Sequence, residues 1–210
     1  TKYFTSPDWV RFSLDLLGGK GPVGEFRYAP LIGPDILTGI LTRVTGQSVL
    51  DFAKEHLFAP LGIPVEQSIT FRSREELMAF YESTDLRVWA ADPAGVNAGG
   101  WGLTLSPMDM ANIGELILHG GVYDGTRIVS EKWVRESTAE QSLWAERDLP
   151  YGYLWWVLPQ GHGFAAMGDG GNALYVSPDK NLVAAITSRF QPRVKDRIEL
   201  IRTYVAPCFD

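Results

Sequence analysis

The chain has 210 residues, enough to bury a large core, since a domain of this size removes roughly 70% of its extended surface from water. It carries 19 basic and 25 acidic residues, a net charge of −6, without blocks of either sign. This balance excludes nucleic acid as a partner, and no apolar run reaches the ~20 residues of a membrane span. The single cysteine, Cys208, excludes an internal disulfide. We expect no metal site, because the histidines lack the spacing of metal ligands: His56, His119 and His162.

Helix-start signals recur through the first part of the chain. Ser6-Pro7-Asp8, for example, combines a capping hydroxyl, a proline at the first helical position and an acid at the positive helix end. Apolar residues follow each start at helical spacing, and a glycine or proline ends several of these segments. We predict helices that begin at the following residues: Ser6, Pro34, Ser48, Ser73, Ser106 and Ser130.

After Pro150 the composition changes to that of strands, with aromatic and β-branched residues between turn formers. Residues 177–180 (Ser-Pro-Asp-Lys) have the composition of a hairpin turn. We predict three or four antiparallel strands and a closing helix over residues 194–204, the strands covering these segments: 151–158, 164–167, 173–176 and 181–188.

Helices that precede a run of strands indicate the α+β class. We expect one domain over residues 1–210, made of a mainly helical part, residues 1–149, and a part with antiparallel strands and the closing helix, residues 150–210. The first residues, Thr1 to Phe4, read as an arbitrary cut before a helix rather than a natural start.

The stretch Gly168-Asp169-Gly170-Gly171-Asn172 stands directly before a predicted strand. A glycine pair at this place lets another group approach the backbone closely. Two interpretations stay open on this stretch alone. It is the flexible entry to an ordinary hairpin, or it opens an active-site edge strand whose free N–H groups polarise a carbonyl, which is oxyanion chemistry.

Three groups of segments, in this order, resemble the serine β-lactamase and penicillin-binding-protein-like superfamily, on its class C β-lactamase and esterase side. The first, F-R-Y-A-P with the two helices after it, is similar to the family's Tyr-x-Asn stretch. The second, D-P-A-G-V-N-A-G-G-W-G-L-T-L-S-P, resembles its Gly-rich loop, and the third, G-D-G-G-N-A-L-Y-V, its Lys-Thr-Gly or His-x-Gly strand. The resemblance runs from about Asp8 to Arg189, and the joint match is more specific than each piece alone.

The resemblance implies a β-lactamase/transpeptidase-like fold and acyl transfer through a serine in a Ser-x-x-Lys motif, with no cofactor. It implies that Tyr28 is the counterpart of the Tyr-x-Asn tyrosine and takes part in catalysis. Asp169, Gly170 and Gly171 take the Lys-Thr-Gly place, and the backbone N–H of Asn172 becomes an oxyanion donor. The implied substrate is a small ester, amide or peptide-like molecule.

The sequence departs from the family pattern at three points. Its only Ser-x-x-Lys string, residues 177–180, lies in the predicted hairpin turn with Pro178 inside it, so the nucleophile helix and the first strands of the fold are missing. Pro30 replaces the asparagine of Tyr-x-Asn. Asp169 places a carboxylate where the family has a cation or an imidazole, which would repel an anionic substrate.

These departures leave three hypotheses. The chain is the larger part of a serine hydrolase of esterase or amidase type, weak or inactive when isolated. Alternatively, it is a non-catalytic module that binds a ligand or peptide against a sheet edge. A second molecule could also supply the missing segment, through self-association at an exposed sheet edge. The cellular compartment stays open, since similar proteins occur inside and outside the cytoplasm.

Overall fold

The computed structural model describes residues 2–17, 21, 22, 24–29, 31–189 and 195–209. The chain divides into two compact units, Thr1–Leu105 and Ser106–Asp210, each with a buried cluster of apolar side chains. The organisation as one domain, expected from the sequence, stays a prediction.

Helices dominate the first unit. They are α1 (Trp9–Leu17), α2 (Ile32–Thr45), α3 (Val49–Ala53), α4 (Ala59–Leu61) and α5 (Arg74–Glu82). A π-helical segment, Lys54–Phe58, joins α3 to α4 without a break. The predicted caps at Ser48 and Ser73 are confirmed, because the hydroxyl of Ser48 accepts the N–H of Asp51 at 3.0 Å and that of Ser73 accepts the N–H of Glu76 at 3.2 Å. The predicted cap at Ser6 is wrong, because α1 begins at Trp9 and the carboxylate of Asp8 accepts the N–H of Arg11 at 2.8 Å.

The core of the first unit forms around aromatic side chains. Tyr3, Trp9 and Ala98 are buried together, and Phe12 and Trp101 pack against them. A short parallel pair of strands, β1 (Gln67–Ile69) and β2 (Val88–Ala90), completes this unit.

The second unit contains an antiparallel sheet of six strands in the order β10-β9-β8-β7-β6-β5. The strands are β5 (Ser142–Trp144), β6 (Leu149–Tyr151), β7 (Trp156–Val157), β8 (Phe164–Met167), β9 (Ala173–Ser177) and β10 (Leu182–Ile186). Before the sheet come α6 (Pro107–Leu118), the hairpin β3 (Val122–Tyr123) and β4 (Thr126–Arg127), and α7 (Glu131–Ser137); after it comes α8 (Arg197–Leu200). The α+β class predicted from the sequence is therefore confirmed.

Strand β9 is buried along its whole length between helices on both faces of the sheet. Tyr175, 1% exposed, packs in a cluster with Ile198 and Ile201 of the C-terminal helical segment. Leu174 points to the opposite face, as expected from the two-residue period of a strand, and lies close to Gly114 of α6. This double coverage fixes the register of β9 and of the turn before it.

The sheet begins earlier and has more strands than the sequence predicts. Strands β5 and β6 lie before Pro150 or across it, in a region expected to be helical, because three-residue strands among polar residues carry no readable period. The strand predicted over residues 151–158 is interrupted after Tyr151. Leu154 has a φ of +66°, and Gly152 donates to the carbonyl of Trp155 at 2.8 Å, which turns the chain.

Of the two interpretations left open for the stretch before β9, the edge strand is wrong. Strand β9 pairs with β8 on one side and β10 on the other. Local composition could not show this, because the edge position depends on which distant segments pair with the strand. Among the described residues, the edge strands of this sheet are β10 and β5.

Helix ends also differ from the prediction by a few residues. Helix α2 begins at Ile32 rather than Pro34, which lies in its first turn, where a missing N–H costs no hydrogen bond. In the predicted closing helix Val194 lies outside the described residues; α8 is followed by a π-helical segment, Ile201–Val205. Among the described residues, no helix is long and apolar enough to cross a bilayer.

Gly39 of α2 provides a test of the close approach between α1 and α2. A Cβ at Gly39 would lie 2.6 Å from Cγ1 of Val10, whereas one at Gly33 of the same helix would meet nothing within 4 Å. We expect Gly39→Ala to lower the free energy of unfolding by about 1–3 kcal/mol through overpacking. Gly33→Ala is the control and should be neutral or stabilising by up to about 1 kcal/mol. Urea denaturation gives both values, and equal effects of the two substitutions would contradict this packing.

Candidate functional site

The stretch from Gly168 to Asn172 forms a closed turn between β8 and β9. The N–H of Gly168 donates to the carbonyl of Asn172 at 3.0 Å, and the N–H of Gly171 donates to the carbonyl of Gly168 at 3.4 Å. Gly170 and Gly171 have φ angles of +82° and +98°, a region that L side chains rarely adopt. The glycine pair is therefore required by the shape of the turn.

Two residues outside this turn, one after the end of β10 and one in α8, pack against it. The N–H of Ser188 donates to Oδ1 of Asn172 at 2.9 Å, and the hydroxyl of Ser188 donates to the carbonyl of Gly170. A Cβ at Gly171 would lie 2.9 Å from Oγ of Ser188 and 3.1 Å from Nε of Arg197. The turn thus has no room for a side chain at Gly171.

Two polar groups at this turn have no hydrogen-bond partner among the described residues. One is the backbone N–H of Asn172, the donor that the family resemblance implies for an oxyanion. The other is the buried Nε of Arg197. The N–H of Asn172 can donate to a ligand oxygen, whereas the Nε of Arg197 is buried.

The four residues predicted for oxyanion or substrate binding come together in this one turn. Gly170 and Gly171 are buried, whereas Asp169 is exposed to solvent. Their role in binding stays a prediction.

Tyr28 lies in the first unit, in the extended segment before α2, and is half-buried. Tyr28 takes part in an interaction with another group, so it is not without a partner. Its catalytic role stays a prediction. Pro30, which stands in place of the family asparagine, lies outside the described residues.

The Ser-x-x-Lys string is located as the sequence predicts. Ser177 ends β9, and residues 178–181 turn the chain into β10. Asn181 has a φ of +48°, and its N–H donates to the carbonyl of Pro178 at 3.1 Å. A hairpin turn does not place serine and lysine on one face, as one turn of a helix would.

Among the described residues, His56 and His119 contact side chains or backbone close to them in sequence. The ring of His56 packs on Phe52 with centroids 4.4 Å apart, and Nδ1 of His119 lies 3.0 Å from the carbonyl oxygen of Glu115. His162 follows a short 3-10 turn, Pro159–Gly161. No group of three or more potential metal ligands occurs among the described residues.

The first unit contains a buried carboxylate network that the sequence analysis missed. Asp35, 1% exposed, accepts the hydroxyl of Tyr3 at 2.5 Å and the N–H of Gly99 at 2.9 Å. Trp101 donates its indole N–H to the oxygen of Tyr3 at 3.0 Å. Burial raises the pKa of the Asp35 carboxyl, and burial together with the bond to Asp35 raises that of the Tyr3 hydroxyl.

A second buried carboxylate, Asp92, fastens the start of α1. It is 0% exposed, and its two oxygens accept the N–H of Trp9 at 3.0 Å and that of Val96 at 2.8 Å. The sequence offered one signal for each of these two acids: Asp35 stands in an apolar helix, and Asp92 precedes a proline-glycine loop. Both tie loop backbone to a helix, so their role is structural.

An antiparallel sheet between helical layers, with a glycine turn at the entry of its most buried strand, defines the β-lactamase and transpeptidase class of folds. A sequence model of the β-lactamase family matches residues 14–206. The chain belongs to the β-lactamase family, and the resemblance predicted from the sequence is confirmed.

Individual relatives agree with this assignment. The chain is 28% identical over 175 residues to the 6-aminohexanoate-dimer hydrolase of Paenarthrobacter ureafaciens. This alignment covers 79% of this chain and 39% of that protein. A structure from Bacillus anthracis, described as a 6-aminohexanoate-dimer hydrolase, is similar with a TM-score of 0.63 and 20% identity over 87% of this chain and 43% of that one. A penicillin-binding protein homologue from Caulobacter crescentus is similar with a TM-score of 0.61 and 18% identity over 91% of this chain and 60% of that one. The chain therefore spans less than two thirds of the length of each of these relatives.

Replacing Gly171 tests the packing of the turn. We expect Gly171→Ala to lower the free energy of unfolding by about 1–2 kcal/mol because of the positive φ. The contact of the new methyl group with Ser188 and Arg197 should lower it further. The control is Gly125→Ala in the same unit, where φ is +73° but a Cβ meets nothing within 4 Å. Thermal and urea unfolding should show the larger loss for Gly171→Ala. Equal losses would mean that the turn is open at this position.

Replacing Tyr3 tests the buried network. At pH 7 we expect Tyr3→Phe to cost about 1–3 kcal/mol, because one oxygen of Asp35 loses its donor. The pKa of Tyr3 is raised on folding, so its stabilising contribution is complete below about pH 10, the ordinary tyrosine value, and is lost as pH rises above it. The difference in unfolding free energy between the two proteins should therefore shrink from pH 9 to pH 11. Tyr81→Phe, at a partly exposed tyrosine of the same unit, is the control at pH 7, and a constant difference across this pH range would contradict the raised pKa.

Proposed function

We propose that this chain contributes the oxyanion-binding and proton-transferring groups of a serine hydrolase that cleaves amides or esters. The observation that carries the proposal is the unpartnered N–H of Asn172, among the described residues, at the entry of β9 in a β-lactamase-family fold. An N–H held by a rigid turn stabilises a developing oxyanion without having to reorganise.

The proposed reaction has two steps. A serine Oγ attacks the substrate carbonyl carbon while a base takes its proton, and the resulting oxyanion is held by the N–H of Asn172 and a second N–H. The C–N or C–O bond then breaks, the leaving group takes the proton, and an acyl-enzyme remains. Water hydrolyses the ester and restores the serine. Tyr28 is the proposed proton carrier of this chain.

The nucleophile of the proposed reaction comes from outside the 210 residues. The only Ser-x-x-Lys string of the sequence lies in the hairpin turn after β9. The curated relative is matched over only 39% of its length, which leaves ample room for a further segment. A second molecule in a dimer could supply the segment instead, and this alternative stays a prediction.

An amide is the favoured substrate. The relative of 28% identity is named for hydrolysis of a dimer of 6-aminohexanoate, and a linear amide-linked dimer of an amino acid carries one free carboxylate. The exposed carboxylate of Asp169 alone would repel such a group. The guanidinium of Arg197, packed against Gly171, supplies an opposite charge at the same turn. The charge of the turn therefore does not exclude an acidic substrate.

The source of the nucleophile is tested by intact-mass spectrometry. The isolated chain, near 23.3 kDa, is incubated with a fluorophosphonate and, separately, with a penicillin. We expect no adduct, because the one Ser-x-x-Lys string of the sequence lies in the hairpin turn after β9 rather than on a helix. An adduct on one serine would show that the nucleophile lies within these residues, and peptide mapping would identify it.

The role of Tyr28 is tested in the natural protein that contains this chain. We expect Tyr28→Phe to lower kcat for a simple amide or ester by about 10²–10⁴-fold, the usual contribution of general acid–base catalysis. KM should change little. Tyr81→Phe serves as the control and should leave kcat unchanged. A kcat for Tyr28→Phe within a factor of two of the wild type would reject this role.

The alternative function, a non-catalytic binding module, is favoured by one observation, the carboxylate of Asp169 where the family has a cation or imidazole. It requires that the natural protein binds an amide or peptide but does not turn it over. Calorimetry and a hydrolysis assay on the same sample separate the two functions. Turnover that depends on one serine rules out the binding module.

A further inference from the structure

Ser188 contacts the turn Gly168–Asn172 at two points. Its backbone N–H donates to Oδ1 of Asn172 at 2.9 Å, and its hydroxyl donates to the carbonyl of Gly170. Ser188 follows the end of β10 and is half-buried. It is therefore attached to the sheet independently of the turn that it contacts.

The two contacts lie on either side of one peptide group. The N–H of Asn172 belongs to the peptide bond between Gly171 and Asn172. One contact of Ser188, to the carbonyl of Gly170, lies before this peptide bond in the chain, and the other, to the side chain of Asn172, lies after it. Glycines rotate more freely than any other residue, and Gly170 and Gly171 are both glycines with positive φ. Without outside contacts, the direction of this N–H would be weakly fixed.

The bonds within the turn are not sufficient to fix it. The bond from Gly171 N–H to the carbonyl of Gly168 is long, at 3.4 Å, and the bond from Gly168 N–H to the carbonyl of Asn172 closes the base of the turn rather than its tip. The contacts of Ser188 are at the tip and beside it. They supply the restraint that the glycines lack.

We propose that Ser188 is a positioning residue, which sets the direction of the Asn172 N–H through its bonds to Gly170 and Asn172. The inference rests on the proposed function, because the value of a fixed N–H depends on an oxyanion to be bound. A fixed direction of the Asn172 N–H would contribute to catalysis by preorganisation, because a donor that already points at the developing charge needs no rearrangement in the transition state. Ser188 itself touches no reacting atom in this account.

The test uses amide NMR on the 210-residue chain. Ser188→Ala removes the hydroxyl bond, Ser188→Thr keeps a hydroxyl, and Ser130→Ala removes the cap of α7, where Oγ accepts the N–H of Trp133 at 3.2 Å. We expect Ser188→Ala to broaden the amide signals of Gly171 and Asn172 by millisecond exchange and to speed the hydrogen exchange of the Gly171 amide, which is bonded to the carbonyl of Gly168, at least tenfold. Ser188→Thr should restore sharp signals. Ser130→Ala should lower stability but leave these two amides unchanged.

The possible NMR results distinguish a positioning role of Ser188 from a general contribution of Ser188 to stability. If Ser188→Ala lowers the unfolding free energy while the Gly171 and Asn172 signals stay sharp and the Gly171 amide stays protected, Ser188 is only a structural contact and the inference is wrong. Broadening in Ser130→Ala as well would also overturn it, since the effect would then follow stability rather than position.

A second readout applies to the natural protein and distinguishes this inference from the proposed function. We expect Ser188→Ala to lower kcat about tenfold with KM within a factor of two, because only the transition state uses the oriented N–H. Absence of turnover in the wild type would reject the proposed function and leave the NMR result to decide on positioning. Unchanged kcat in an active protein would reject the inference alone.

Discussion

The shape of the turn before β9 depends on the absence of side chains at its glycine pair. Gly170 and Gly171 have positive φ angles, and the space beside Gly171 is occupied by Ser188 and Arg197. A side chain at Gly171 would need both an unfavourable backbone conformation and space that these two residues occupy. Because β9 is buried between helices on both faces, its register cannot slip to relieve the turn. The rigid sheet thus determines where the N–H of Asn172 is held, and the catalytic proposal follows from this position.

The first unit is organised by a different interaction, the burial of two carboxylates. Asp92 accepts the N–H of Trp9 at the start of α1 and that of Val96 in a loop, whereas Asp35 accepts the N–H of Gly99 and the hydroxyl of Tyr3. Buried carboxylates are stable only when their oxygens are paired in this way. They connect α1, α2 and the loop around Gly99, which is the segment that resembles the family's Gly-rich loop. The conformation of that loop is therefore coupled to the hydrogen bonds of these two buried acids.

Local signals in the sequence were sufficient for most helices and for the family. Capping serines such as Ser48 and Ser106 begin helices where the sequence predicts, since a side-chain cap is a contact between near neighbours. The strand order was not predictable, because the place of β9 depends on pairing with β8 and β10 rather than on its own composition. For the site, the sequence located the residues of the glycine turn but not Ser188 or Arg197, whose contacts with it span 16 or more positions. Asp35 was missed because an acid at the start of a helix is usually exposed.

The central claim, that the N–H of Asn172 binds the oxyanion of an acyl-transfer reaction, is tested most directly by a crystal structure of the natural protein inactivated with a phosphonate. The phosphonyl oxygen mimics the oxyanion of the tetrahedral intermediate. The account predicts this oxygen at about 2.7–3.1 Å from the backbone nitrogen of Asn172, the distance of an oxyanion-hole donor. A phosphonyl oxygen bound by other donors, with the Asn172 nitrogen beyond hydrogen-bonding distance, would contradict it.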